Sequence, residues 1–441
     1  MPSHKPDEKL LEATHAAFRQ VRGSAITSDG MASWLRAGPS PAGTIDPSVY
    51  SGTCGIAWAL AEYAVWAGET WAADLSVQAI RHSLRHWQDI PSEQRLGFYS
   101  GWSGLVFAAV HVSRLLNETS TLPALPQLLA ALRNQPPSHE FDLVSGAAGA
   151  VLSGSLLAAA LGEEALDIAY GAARRLRQQP KARAPGGGFA WRPPRQHRDL
   201  PLTGVAHGAS GAAWSLLELW ALRREEEWLR DLAEQAFAYE GRLYDEAEEN
   251  WPDLRYYQTW RATRILRPSY QAAWCHGAGG IALARLRAYE ITADPAYLRM
   301  AVVAGRTLLK AADEALRDSS PLLNLCHGGP GNAELLAMLM TRTDFDAAAH
   351  LARSAASSAE ALLSLRREKV LPELDTGLML GTSGVGLSLS RACGGSPLTP
   401  LFPLGDARRN VVLPSRSPSL ERTPQSSRAQ IGASVRATNL P

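Results

Sequence analysis

Two phrases in this 441-residue chain place cysteine and histidine side by side and follow them at once with glycine: WCHGAGG, which holds Cys275 and His276, and LCHGGPGN, which holds Cys326 and His327. Thiolate and imidazole are donors that zinc prefers. Three of them with an open fourth position make a Lewis acid, whereas four close a structural site. The chain has only four cysteines, and two of them stand in matched phrases 51 residues apart. This spacing is not a CxxC clip, so the fold has to gather the donors. The residues alone leave open which three of the four bind, or whether all do. The other two cysteines, Cys54 inside a glycine turn and Cys393 after a short last helix, read as small buried apolar groups.

Both phrases are copies of one repeated turn: a small or polar residue, Gly, two residues, Gly. It recurs as SGTCG at 51–55, SGWSG at 100–104, SGAAG at 145–149, HGASG at 207–211, HGAGG at 276–280, HGGPG at 327–331 and LGTSG at 380–384, with first glycines 45 to 69 residues apart. Repetition at such a period signals stacked supersecondary units. After each turn comes an Ala- and Leu-rich stretch poor in charge, such as GAVLSGSLLAAALG, which predicts a helix covered on nearly all sides. Between these lie amphipathic segments such as EALDIAYGAARRLRQ and DPAYLRMAVVAGRTLLKAADEALRD, in which apolar residues return every three or four positions. In the last of them Asp294 suits an N-cap and Pro295 the first helical position.

Seven inner and seven outer helices in alternation predict an all-α fold, an α/α toroid, with an open solenoid as the alternative. A ring puts all the glycine turns at one end, so their side chains converge on the mouth of a central cavity. His207 is the histidine whose turn lacks a cysteine, and it reads as a free acid or base. Asp142, four residues before Gly146, lies near the same level. It serves either as a helix cap or as the group that orients a histidine across the ring. Trp102, inside the second turn, is a further candidate to face a substrate, while Trp58, Trp66 and Trp214 read as packing.

Composition narrows the partner. Lys plus Arg is 44 against 43 for Asp plus Glu, so net charge points to neither nucleic acid nor an acidic membrane surface. No apolar run approaches the ~18 residues of a membrane span, and the charged start MPSHKPDEKLLEATHAAF lacks a secretory apolar core. A cytoplasmic protein with free or metal-bound thiols is expected. Two segments, 179–200 and 247–270, interrupt the repeat and are expected to line the mouth. From about 405 the Ser-, Pro- and Arg-rich sequence has no helical period and reads as a flexible tail.

Over about residues 45–395 the chain resembles the lanthionine synthetase C-like cyclases. The phrases that carry the resemblance are GFYSGWSG at 97–104, FDLVSGAAG at 141–149, GVAHGASG at 204–211, AAWCHGAGGIALARL at 272–286, NLCHGGPGNAELL at 324–336 and GLMLGTSGVGLSL at 377–389. The resemblance implies a zinc-centred toroid that adds cysteine thiols of a precursor peptide to dehydroalanine or dehydrobutyrine, forming lanthionine-type thioether rings. Carried over phrase by phrase, it implies Cys275, Cys326 and His327 as zinc ligands and His207 with Asp142 as the acid/base pair. His276 then becomes a non-ligating neighbour that faces substrate.

It also implies a division into a helical extension over 1–44, the toroid over 45–395 and the tail over 396–441. A stand-alone cyclase is expected, with dehydration left to a separate dehydratase. The CHG form of the fifth turn is closer to the cyclase domains of large bifunctional synthetases than to the free-standing enzymes. Rival readings are the addition of glutathione to dehydrated residues, a carbohydrate-active or prenyl-transferring toroid, and a non-catalytic peptide-binding scaffold stapled by zinc. A glycosidase would need two carboxylates at the mouth, where the turns supply Asp142 alone.

Overall fold

The computed structural model describes residues 7–35, 46–136, 139–184, 186–192, 200–256, 268–318, 321–370, 375–395, 399–401 and 403. Each glycine turn feeds an inner helix: α2 (Thr53–Ala67), α4 (Trp102–Leu116), α6 (Ala147–Leu161), α8 (Ala209–Leu222), α10 (Ala278–Thr292), α12 (Gly329–Arg342) and α14 (Thr382–Ala392). Their burial matches their lack of charge. In α6 every residue from Ala147 to Ser155 is buried, so Ala and Leu supply both helix propensity and close packing.

Six amphipathic helices alternate with these on the outside: α3 (Thr70–Arg85), α5 (Leu125–Arg133), α7 (Glu163–Gln178), α9 (Glu227–Gly241), α11 (Pro295–Ala315) and α13 (Ala348–Arg367). In α7 the buried stripe is Ala165, Leu166, Ile168, Ala169, Ala172, Ala173 and Leu176, one face of a helix. The start of α11 is as the sequence predicts: Pro295 opens it and the Asp294 side chain accepts from the Ala296 N–H at 2.8 Å.

The ring is closed. Each inner helix packs on the next, and α14 packs back on α2, which excludes the open solenoid. The seventh outer helix is α1 (Glu8–Gly23), which the sequence reading set apart as an extension. It packs on α13 and α14, its Phe18 ring stacks on Tyr63 of α2 at 4.0 Å, and its Gln20 accepts from Thr382 at 2.6 Å. Its apolar face, Ala13, Ala16, Ala17, Phe18 and Val21, is what the exposed flank of α14 lacks. The toroid therefore starts before residue 45.

Two short antiparallel hairpins decorate the helices: β1 (Ile26–Ser28) with β2 (Met31–Ser33), and β3 (Lys181–Arg183) with β4 (Phe189–Trp191). The second lies in the 179–200 interruption. Buried Trp191 donates to the Leu176 carbonyl and stacks on Phe141, so this part braces the outer layer beside Asp142. The centre of the 247–270 interruption and the tail from 404 lie outside the described residues.

The repeated glycines have a packing cause. All seven inner helices are N-capped by the first glycine with no side-chain cap. A Cβ there would strike the backbone of the strand that enters the turn. At the second glycine a Cβ would strike backbone again. In six turns the nearest atom is the carbonyl oxygen three residues before the first glycine. Two glycines per turn let the entering strand lie directly on the first turn of the helix.

Replacing the second glycine of the third turn tests this. In Gly149→Ala the new Cβ would sit 2.6 Å from the Gly97 carbonyl carbon, and the resulting overpacking is expected to cost about 2–3 kcal/mol. Gly171→Ala, in α7 with nothing within 4 Å, should instead stabilise by about 0.5–1 kcal/mol. Urea unfolding of the two variants measures both signs.

Candidate metal centre

The residue two places before each first glycine occupies an equivalent position in every turn. In turn order these are Tyr50, Tyr99, Val144, Ala206, Cys275, Cys326 and Met379. Their backbones form a belt around the ring: Tyr50 N–H donates to Tyr99 O (2.8 Å), Tyr99 to Val144 (3.2 Å), Val144 to Ala206 (3.3 Å), Ala206 to Cys275 (3.3 Å), Cys326 to Met379 (3.0 Å) and Met379 to Tyr50 (2.9 Å). One of the seven links is missing among the described residues, between Cys275 and Cys326. There the fifth turn folds on itself, with Ala273 N–H donating to His276 O and Gly277 at φ +76°. Only glycine adopts that backbone without strain. Asn250 braces it by accepting from Ala278 N–H and donating to Gln271 O.

At this gap the ligand atoms of Cys275, Cys326 and His327 lie within 4.8 Å of one another. Cys326 is buried, Cys275 half-buried and His327 exposed, so the cluster opens toward the mouth through the imidazole. The turn that carries His327 is held by Asn324, whose Oδ1 accepts the His327 N–H at 2.9 Å. Between the two thiols a shared proton separates their behaviour. The hydrogen bond from Cys326, opposed by burial and reinforced by His327, draws the Cys275 thiol down to about 4. The same hydrogen bond, with burial, pushes Cys326 above the usual thiol range. A thiolate beside a thiol and an imidazole is a donor set ready to take a metal.

A fourth group touches this set. Tyr50 Oη donates to Cys326 Sγ at 2.9 Å, and burial first, then the nearby Cys326, pushes the phenol pKa far up, so it stays a donor. The sequence reading missed Tyr50 because it followed the position next to each glycine, where the first turn shows Ser51. One residue earlier, Tyr50 falls in the same column as the two cysteines.

His207 and Asp142 are brought together as expected: His207 Nδ1 donates to Asp142 Oδ2 at 2.7 Å. Asp142 is not the helix cap, since Gly146 caps α6 with no side-chain bond; its Oδ1 instead accepts the Ser145 N–H at 2.6 Å and fixes the third turn, while Oδ2 orients the histidine. Its side chain is 8% exposed and that of His207 40%, so the carboxylate is the buried anchor and the imidazole faces the mouth. With Nδ1 committed, Nε2 is the atom left for proton transfer. Burial disfavours the His207 imidazolium, but the Asp142 charge and hydrogen bond outweigh it and raise the pKa.

His276 stacks 6.1 Å from His207, ring to ring, and is 4% exposed. Burial lowers its pKa to about 4 against the pull of Cys275, so it is neutral near pH 7. A second residue missed from sequence is Arg255, held on buried Asp253 by bonds of 2.9, 3.1 and 2.5 Å. Its charge reaches His207, His276 and Cys326. It sits in an interruption without periodicity, so no repeat position marks it.

Trp102 does not join the site. It is 2% exposed, its indole donates to the Trp87 carbonyl at 2.7 Å, and the Arg95 guanidinium lies 4.5 Å over its ring. A residue at the first position of an inner helix faces the outer layer here. Trp58 and Trp214 are buried and Trp66 is partly buried, as packing residues should be, and Cys54 is fully buried.

The sequence model of the family described as lanthionine synthetase C-like protein matches residues 43–402. Among solved structures, nisin cyclase is similar with a TM-score of 0.53 and 16% identity, over 87% of this chain and 92% of that chain. At that identity the likeness speaks for the α/α toroid fold. The GH76A α-1,6-mannanase from Salegentibacter sp. HEL1_6 follows at a TM-score of 0.44 and 14% identity, over 87% of this chain and 99% of that one, too remote to carry an argument. No curated protein matches the sequence.

The Asp142–His207 bond predicts a pH dependence with a definite sign. Asp142→Asn keeps an oxygen for the Ser145 N–H but removes the charge, so burial is opposed by Cys275 alone and the His207 pKa should fall, read by NMR titration of the imidazole. Because the folded pKa is raised, the stability lost in Asp142→Asn should be greatest below the unfolded imidazole value of 6.5. It should shrink as pH rises through the folded value. An unchanged His207 titration would sink the assignment.

Proposed function

The chain belongs to the lanthionine synthetase C-like family, and from that premise we propose that it is a zinc-dependent cyclase. It adds cysteine thiols of a dehydrated precursor peptide to dehydroalanine or dehydrobutyrine, giving (methyl)lanthionine thioethers. The observation that supports this most is the meeting of Cys275, Cys326 and His327, with ligand atoms within 4.8 Å, on the rim that carries the His207–Asp142 pair.

The donor set fits zinc. Zn–S bonds of about 2.3 Å in a tetrahedron put two sulfurs ~3.8 Å apart, inside the observed limit. Two sulfurs and one imidazole leave a fourth position for a substrate atom. Cys275, Cys326 and His327 would hold the ion, and Tyr50 would orient Cys326 through its sulfur. Zinc bound there supplies the Lewis acidity that turns a thiol of ordinary pKa ~8.5 into a nucleophilic thiolate at neutral pH.

The remaining steps fall to the chain's own residues. As the sulfur pair attacks the β-carbon, the C=C electrons move to the α-carbon and its carbonyl. His207 is biased toward imidazolium by Asp142, and it delivers the proton to the α-carbon from Nε2. The proton lost by the thiol leaves to solvent, from which the imidazole recharges, so the sum is S–H added across C=C. Arg255, fixed on Asp253, places positive charge where the enolate forms. His276, buried and neutral, walls the site without competing for the proton.

No described helix is long and apolar enough to cross a membrane, and the described cysteines are free thiols. We assign the reaction to the cytoplasm, with a separate dehydratase preparing the peptide.

Substitutions at the two halves of the site should separate. Cys326→Ala and Cys275→Ala should each lose stoichiometric zinc by elemental analysis and lose cyclisation. His207→Ala should keep zinc and slow thioether formation by about 10²–10⁴-fold, followed by mass spectrometry of a dehydrated peptide with a thiol-alkylating probe. Zinc retained in the double cysteine variant, or an unaltered rate in His207→Ala, would overturn the assignment. Adducts that form only with added glutathione would favour the small-thiol reading.

A further inference from the structure

The sequence reading ended the ring near residue 395, yet residues 399–401 are among the most enclosed in the chain. Thr399 is 1% and Leu401 0% exposed, with Pro400 buried between them. Side-chain donors take both of the following carbonyls. Tyr99 Oη donates to Pro400 O at 2.6 Å and Trp274 Nε1–H donates to Leu401 O at 3.1 Å, both in buried surroundings.

These donors come from the second and fifth turns, three places apart on a ring of seven, the greatest separation such a ring allows. Their rings nevertheless meet edge to face with centroids 4.7 Å apart. Side chains from opposed turns touch only near the centre of a ring. Pro400 and Leu401 therefore lie near the axis, held against Tyr99 and Trp274.

Each donor also stands next to a proposed ligand. Trp274 directly precedes Cys275. Tyr99 O accepts the Tyr50 N–H at 2.8 Å, and Tyr50 in turn donates to Cys326 Sγ at 2.9 Å. The axial segment thus reaches Cys275 through Trp274 and Cys326 through Tyr99 and Tyr50. It does so beside the junction where the backbone belt has no link of its own.

Resting on the zinc reading above, we infer that residues 399–401 are the floor of the metal centre and position its ligands from within. Their carbonyls hold Tyr99 and Trp274 in place. Without them a phenol and an indole are left buried and unpaired, so both must turn or water must enter under the sulfurs. Tyr99 and Trp274 are positioning residues in this scheme, acting through Tyr50 and the backbone of Cys275.

Two truncations and one double variant test this. Zinc affinity is measured by competition with a chromophoric chelator, and stability by thermal melting. Ending the chain after Pro403 should leave zinc affinity as in the full chain. Ending it after Gly395 should weaken affinity about 10–100-fold, and the peptide 396–403 added in trans should restore it. Tyr99→Phe with Trp274→Phe removes both donors and keeps a ring at each position, a smaller one at 274, and Tyr99→Phe alone, which removes a hydroxyl only, is its control; the pair decides the matter should the shorter chain not fold, and a drop of about tenfold is expected in the double variant.

A role confined to fold stability would lower the melting temperature and leave zinc affinity unmoved. Equal affinities in both truncations, or in the double variant and the full chain, would overturn this proposal alone. A full chain that binds no zinc would instead overturn the metal reading, and this inference with it.

Discussion

Everything at the site depends on the belt of backbone hydrogen bonds through Tyr50, Tyr99, Val144, Ala206, Cys275, Cys326 and Met379. Buried amide groups must be paired, and at the inner end of a helical ring the pairing available is with the neighbouring turn. That pairing fixes each turn at the same depth and turns one side chain per repeat inward. It also explains the glycines, since a Cβ at either would push the entering strand off the helix it caps. The belt lacks its link at the junction where two thiols and an imidazole meet. A metal bound by Cys275 and Cys326 would supply across that junction the cross-tie that backbone supplies elsewhere.

A second consequence is electrostatic. All seven inner helices begin at the belt, so seven N-termini direct the positive ends of their dipoles at one cavity, and Arg255 adds a full charge at its edge. Such a field favours thiolates over thiols. It works against imidazolium, which is why the anchoring carboxylate of Asp142 matters. Without that carboxylate burial would weigh on His207 as it does on His276.

How far the sequence could be read follows from which features repeat. Seven glycine turns carried the architecture, and the histidines next to their first glycines marked the rim. Reading the column one residue earlier would have added Tyr50 and Tyr99 to the cysteines, because the belt makes that column face inward. The seventh outer helix was missed for a different reason. It lies at the opposite end of the chain from α14, and ring closure is a long-range contact that no local period encodes. Trp102 was misread because its turn faces the mouth, although its own position begins a helix and turns outward onto Trp87. Arg255 and the axial residues 399–401 sit outside any repeat, where composition says nothing of depth.

The two histidines at the centre show what environment does to identical chemistry. His207 and His276 are stacked 6.1 Å apart in equivalent turns, yet one has its pKa raised and the other lowered to about 4. Burial acts on both in the same direction. The difference is Asp142, which reaches His207 from the adjacent turn through the oxygen it does not use to hold its own turn. Groups whose environments push their pKa values apart are those to which opposite proton roles can be given. On that physical ground His207 is the imidazole suited to carry a proton and His276 the one suited to stay neutral. Exchanging them would require moving the carboxylate, not the imidazoles.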